Sequence, residues 1–136
     1  PDLFLPLMKV HKLSVASSNV IAQNAAITAL RAGEETVDAM REEYARRRRF
    51  LLDAFAEIPE ISCVAPAGTF YIYPNVSGSG MSGKEFADRL LQENGVATVP
   101  GTAFDSFHNA HIRISYASSM ENLQEAICRI KAMLGK

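Results

Sequence analysis

The chain has 136 residues and is 48% hydrophobic, which suits one ordinary core and hardly two. Its 14 basic and 15 acidic residues give a net charge of -1, so overall charge provides no reason to expect nucleic acid or an anionic membrane as partner. No apolar run approaches the about 18 residues of a membrane span, and no signal peptide is recognisable. These features predict a soluble, cytoplasmic protein.

The first part of the chain is predicted to be helical. A short helix is expected over residues 2–13. Asn19 is a suitable N-cap for an alanine-rich helix over residues 20–32, which stops at Gly33.

A long helix is predicted over residues 35–58, because apolar residues recur at three- and four-residue spacings and Pro59 follows. The predicted buried stripe consists of Val37, Met40, Tyr44, Leu51, Phe55 and Ile58.

Four consecutive arginines, Arg46–Arg49, lie on this helix. Successive helical residues are rotated by about 100°, so the four side chains splay and form no flat phosphate-binding patch. Acids at four-residue spacing predict intrahelical ion pairs instead. The expected pairs are Glu42 with Arg46, Glu43 with Arg47 and Asp53 with Arg49.

The second half of the chain alternates strands with helices. Strands are predicted over residues 61–64, 69–73, 96–99 and 111–117. Ser82 and Glu85 form a capping box for one helix, and Ser118 and Glu121 repeat the pattern for the last. This order predicts an α/β fold: a two-layer α/β sandwich with a small sheet covered by helices, preceded by an N-terminal helical segment and a long connecting helix.

Arg113 is the most informative residue for chemistry, because it interrupts a β-forming run. Alternation places Ile112 and Ile114 on one face of the strand and Arg113 on the other. An arginine in mid-strand needs an anion near its planar fork. From the residues alone, a structural ion pair with one of the fifteen acids and a carboxylate-binding site are both open.

Other chemistries find no support in the sequence. The two cysteines and three histidines have no metal-ligand spacing, so no metal site is predicted. No nucleotide-binding loop and no nucleophile elbow are present.

Three blocks in order carry a family resemblance: residues 67–71 (Ala-Gly-Thr-Phe-Tyr), residues 94–104 and residues 111–117 (His-Ile-Arg-Ile-Ser-Tyr-Ala). Together they resemble the C-terminal part of class I/II (fold-type I) pyridoxal-phosphate-dependent aminotransferases of the aspartate aminotransferase type. Residues 17–23 resemble the segment that follows the cofactor-binding lysine region of this family.

The resemblance implies a C-terminal substrate-binding domain of an enzyme that moves an amino group between an amino acid and a 2-oxo acid. It implies that Arg113 binds the substrate α-carboxylate and that Gly68, Thr69 and Phe70 line the substrate pocket. It further implies that residues 1–33 are a helical remnant of the large cofactor domain, that residues 34–136 form the small domain, and that the parent enzyme is a homodimer.

Pyridoxal 5'-phosphate is the cofactor that the resemblance implies for the parent enzyme, held as a Schiff base by a lysine. None of the five lysines has the family's Ser/Thr-x-x-Lys context. The chain alone is therefore expected to bind no cofactor, to contribute no catalytic residue and to be inactive. A non-catalytic amino-acid-binding module and a dimerisation module are the alternatives.

Overall fold

The computed structural model describes residues 2–15 and 17–136. The chain separates into an N-terminal unit, Pro1–Ala39, and a C-terminal unit, Met40–Lys136. None of the helices in the described residues is long and apolar enough to cross a membrane. The helices are α1 (Phe4–Ser14), α2 (Val20–Ala32), α3 (Glu34–Ala56), α4 (Gly83–Asn94) and α5 (Met120–Met133), and the strands are β1 (Tyr71–Ile72), β2 (Val99–Pro100) and β3 (Ile112–Ser115).

The N-terminal unit contains α1, α2 and the start of α3. Pro6 lies in the first turn of α1, where its missing N–H needs no intrahelical partner. The side chain of Asn19 accepts hydrogen bonds from the amides of Ile21 and Ala22, which confirms the predicted N-cap. Many large apolar side chains of this unit are exposed, among them those of Leu3, Phe4, Leu5, Leu7, Val10, Leu13, Val20, Ile21 and Leu30.

Helix α3 ends at Ala56, two residues before the predicted end. The C-terminal half of its predicted stripe is buried, with Leu51, Phe55 and the following Ile58 each only 1% exposed. Met40 is instead 50% exposed, so the stripe is not buried along its whole length.

The sheet of the C-terminal unit is antiparallel and has the strand order β1-β3-β2. The predicted strand over residues 61–64 is wrong: only Ser62 forms an isolated bridge, with Asn75. β1 and β3 lie within two of the other predicted strands but are shorter, and β2 overlaps the predicted strand over residues 96–99 only at Val99. The pairs are Tyr71 with Ser115, Ile72 with Ile114, Val99 with Arg113 and Pro100 with Ile112.

The core of the C-terminal unit lies between the sheet and helices, with α4 against β2 and β3 and also against α5. The predicted two-layer α/β class is therefore confirmed. Burying these side chains supplies most of the stabilising free energy, at about 25 cal/mol per Å² of apolar surface. The least exposed core residues are Leu51, Phe55, Ile58, Ile72, Val76, Phe86, Leu90, Ile112, Tyr116 and Ile130.

The capping predictions have different outcomes in the two helices. Ser82 and Glu85 form the predicted capping box of α4, with each side chain bonded to the other's backbone amide. The prediction for α5 is wrong by one residue, because Ser119 is extended and accepts the hydrogen bond of the Asn122 amide. Ser118 instead accepts a hydrogen bond from the Asn122 side chain.

The ion pairs predicted for the arginines of α3 have mixed outcomes: the predicted pair of Glu43 with Arg47 forms, whereas Arg46 binds Glu43 instead of Glu42. Glu43 binds both Arg46 and Arg47, with N–O distances of 2.8 and 2.7 Å. Arg47 also donates to the carbonyl of Tyr116 at 3.5 Å, just beyond β3. Arg48 donates to the carbonyl of Pro66. Two of these arginines therefore fasten α3 to the segments that flank the sheet.

Acid should weaken the Glu43 pairs. Hydrogen bonds from Arg46 and Arg47 lower the pKa of Glu43 from 4.5 to about 2. A lowered folded-state pKa gives a stabilising contribution that is present above pH 4.5 and disappears as the pH falls to about 2. We expect the difference in unfolding free energy between the chain and Glu43→Gln to narrow over this range, as measured by denaturant titration.

The matched control is Glu42→Gln, because Glu42 pairs with no arginine in the described part of α3. The same narrowing in Glu42→Gln, or a constant difference in Glu43→Gln, would contradict the assignment.

Gly101 starts the turn after β2, and a Cβ there would collide with the carbonyl of His108 and lie 2.6 Å from Tyr73 Oη. We expect Gly101→Ala to reduce the unfolding free energy by about 1–3 kcal/mol, the usual cost of overpacking. A Cβ on Gly68 would meet no atom within 4 Å. Gly68→Ala should therefore change stability by less than about 1 kcal/mol. Equal losses in the two variants would refute this difference.

Candidate functional site

Arg113 lies on β3, the central strand, opposite Val99 of β2. Its neighbours Ile112 and Ile114 face the core, so alternation directs Arg113 to the other face of the sheet. The residue is half-buried there. Since Ile112 is fully buried, the core fixes the strand that carries the guanidinium.

Two aromatic rings contact the guanidinium of Arg113. Its Cζ lies 4.3 Å from the ring centre of Tyr71 and 4.7 Å from that of Phe104. Both distances are within the range of cation–π attraction, about 6 Å. An arginine held in this way keeps its in-plane N–H donors for an anion.

The structural ion pair that the sequence left open does not form within Met40–Lys136. No carboxylate or carbonyl oxygen of this unit bonds to the Arg113 side chain. Asp105, on the loop after Phe104, is bound to His108 Nδ1 at 2.6 Å and to two backbone amides. Those hydrogen bonds, His108 first, lower the pKa of Asp105.

The predicted pocket residues Gly68, Thr69 and Phe70 lie in the loop that leads into β1. Thr69 has φ 67°, a left-handed conformation that is unusual for a residue other than glycine. The fold holds it there through Tyr116, whose hydroxyl donates to the Thr69 carbonyl at 2.7 Å and whose amide donates to the Phe70 carbonyl at 2.9 Å.

Phe70 reaches the site through its neighbour. Its ring is 40% exposed and lies 4.4 Å from the ring of Tyr71. The Phe70 ring also stacks on the ring of Tyr44 from α3, with the two ring centres 6.2 Å apart. Phe70 is therefore linked to Arg113 through Tyr71, whose ring contacts both.

Sequence reasoning missed both rings at Arg113. Tyr71 carried a usable signal, because it alternates with the core residue Ile72 and must face the same side as Arg113. Phe104 carried none, because its position depends on the turn that begins at Gly101.

A second aromatic group borders the site and consists of Tyr73, His108 and His111. The rings of His111 and Tyr73 stack at 5.0 Å, and Tyr73 contacts Phe104 edge-on at 6.4 Å. Burial lowers the pKa of His111 and raises that of Tyr73. No group of three metal-ligating side chains occurs in residues 2–15 and 17–136. The group therefore supports Phe104 by packing.

The comparisons with known proteins agree on one family. The family model for class I and II aminotransferases matches residues 7–130. The aspartate aminotransferase of Pyrococcus horikoshii is 38% identical over 94% of this chain and 33% of its own length. The chain spans about a third of the length of the curated relatives that it matches.

Solved structures show the same relationship. A Methanococcus jannaschii protein described as similar in its active site to kynurenine aminotransferases matches 98% of this chain and 36% of its own, with TM-score 0.84 and 36% identity. A mutant of the Thermus thermophilus aspartate aminotransferase matches 92% and 34%, with TM-score 0.83 and 38% identity. The chain belongs to the class I and II aminotransferase family.

Proposed function

We propose that this chain is the C-terminal substrate-binding domain of an aminotransferase that moves an amino group between an amino acid and a 2-oxo acid. In this proposal Arg113 binds the α-carboxylate of the substrate. The observation that supports it is a half-buried guanidinium, in contact with two rings, that no carboxylate of Met40–Lys136 neutralises.

The shapes of the guanidinium and the carboxylate explain why Arg113 suits a carboxylate substrate. A guanidinium and a carboxylate are both planar and can form two parallel N–H···O bonds. Two such bonds fix the orientation of the carboxylate as well as its position. The substrate Cα is thereby oriented, and orientation of a bound reactant lowers the barrier to its reaction.

Gly68, Thr69 and Phe70 are proposed to line the same pocket. The open space beside Gly68 admits a ligand close to the backbone, and the exposed ring of Phe70 offers an apolar wall. The left-handed Thr69 supports this view, since strained residues concentrate at functional sites.

The family's cofactor, pyridoxal phosphate, acts as an electron sink when a lysine and an anion-binding site hold it. Lys84, Lys131 and Lys136 do not fit this role, because each binds a carboxylate. Lys9 and Lys12 lack the Ser/Thr-x-x-Lys context of the family's cofactor-binding lysine. We therefore propose that residues outside this chain hold the cofactor, in a homodimeric, cytoplasmic parent enzyme. Residues 1–33 would then belong to its large domain and residues 34–136 to its small domain.

The proposal predicts the effect of Arg113→Ala in the longer polypeptide that carries this chain. Each hydrogen bond between a charged pair contributes about 1.5–3 kcal/mol, so losing two should lower kcat/KM for carboxylate substrates by more than about 100-fold. Steady-state kinetics with an amino acid donor measure this. Arg113→Lys keeps the charge and loses the planar fork, so its kcat/KM should lie between those of the parent and Arg113→Ala.

Arg89→Ala is the matched control, because Arg89 is exposed and bound to Glu93 of its own helix. It should leave kcat/KM unchanged. An Arg113→Ala enzyme with the kcat/KM of the parent would eliminate the carboxylate-binding role.

The proposed location of the cofactor has a direct test. We expect the coding sequence upstream of Pro1 to contain the family's Ser/Thr-x-x-Lys motif, which would supply the Schiff-base lysine. An upstream sequence without such a lysine would refute the catalytic part of the proposal.

A further inference from the structure

We propose that Tyr71 and Phe104 are positioning residues that hold the Arg113 guanidinium in the orientation required for a carboxylate. This inference rests on the proposed function, since it assigns a role to two residues of that site. It concerns rings that contact the arginine and not the substrate.

The sheet topology brings the two rings to Arg113 from opposite sides. Tyr71 belongs to β1 and Phe104 follows β2, and these strands lie on either side of β3 in the sheet. Each ring contacts the guanidinium, at 4.3 and 4.7 Å from Cζ. Within Met40–Lys136 the two rings form no aromatic pair with each other, and the guanidinium contacts both of them.

Ring contacts suit a binding arginine better than an ion pair would. A carboxylate of the protein would occupy the N–H donors that a substrate needs. An aromatic ring attracts the cation through its π face and accepts no strong hydrogen bond. The arrangement therefore limits the motion of the guanidinium and leaves its donors for the ligand.

The rings are themselves held in place. Tyr71 pairs with Ser115 across the sheet and contacts the ring of Phe70. Phe104 ends a turn of 3-10 helix by donating its amide to the Gly101 carbonyl at 2.9 Å, and its ring meets Tyr73 edge-on. Neither position depends on the ligand.

Holding the arginine in advance reduces the entropy lost on binding. An arginine side chain has many rotamers and loses conformational entropy when it is immobilised. Within Met40–Lys136, no hydrogen bond or ion pair restrains the Arg113 side chain, so the rings are its restraint. Part of the conformational entropy of the Arg113 side chain is therefore already lost before the substrate binds.

The test uses Tyr71→Leu and Phe104→Leu in the longer polypeptide. Removing one ring should raise KM for a carboxylate substrate by about 3- to 30-fold. This is the change in affinity that corresponds to the free energy of one cation–π contact. The value of kcat should change little, because substrate and transition state lose the same restraint. Tyr71→Phe keeps the ring and should restore the KM of the parent.

Phe107→Leu is the matched control for Phe104→Leu, because Phe107 lies in the same loop and is 88% exposed. It should leave KM and kcat unchanged. Phe104 is itself half exposed, so its replacement by leucine should not prevent folding.

A double-mutant cycle separates this inference from the proposed function. In an Arg113→Ala background, Tyr71→Leu should raise KM by less than twofold, because the rings act through the arginine. If Arg113→Ala lowers kcat/KM and the Tyr71→Leu effect persists undiminished beside it, or Tyr71→Phe fails to restore KM, the positioning role is wrong and the carboxylate-binding role stands. If Arg113→Ala has no effect, both are wrong.

Discussion

The alternation of side chains along β3 is the constraint on which the rest of the structure depends. Ile112 and Tyr116 are buried on the helix-covered face, and Arg113 is thereby committed to the opposite face. Because β3 pairs with β1 on one edge and with β2 on the other, both neighbouring strands fix its register. A slip of one residue would bury the charge and expose the isoleucines, so core burial and site geometry are enforced together.

Several acids of the C-terminal unit are paired with cations other than Arg113. Glu43 is bound by two arginines, Glu57 by Lys131, and Asp105 by His108 and backbone amides. Exposed pairs of this kind contribute only about 0–1 kcal/mol each to stability. Their contribution to stability is therefore small. None of these acids occupies the N–H donors of Arg113.

Tyr116 links the core to the loop before β1. Its ring is buried, while its hydroxyl and amide hold the carbonyls of Thr69 and Phe70. The left-handed conformation of Thr69 costs about 1–2 kcal/mol, and these hydrogen bonds keep the loop in that conformation. The segment beside Phe70 is thus set by a residue at the end of the arginine-bearing strand, 47 positions away.

The sequence by itself determined the helices with strong local signals and the α/β class. The Asn19 cap, the Ser82 capping box and the face of Arg113 follow from contacts within a few residues, which short patterns encode. It also carried the resemblance to the aminotransferase family that the comparisons confirm.

Only the tertiary structure decided the long-range partners of the α3 arginines and the surroundings of Arg113. Arg47 and Arg48 donate to the carbonyls of Tyr116 and Pro66, because distant segments pack against that helix. The two rings at Arg113 come from different edges of the sheet. Spacing along the chain reports which face a side chain occupies, but strand order and turn geometry determine which residues meet there, and those depend on long-range packing.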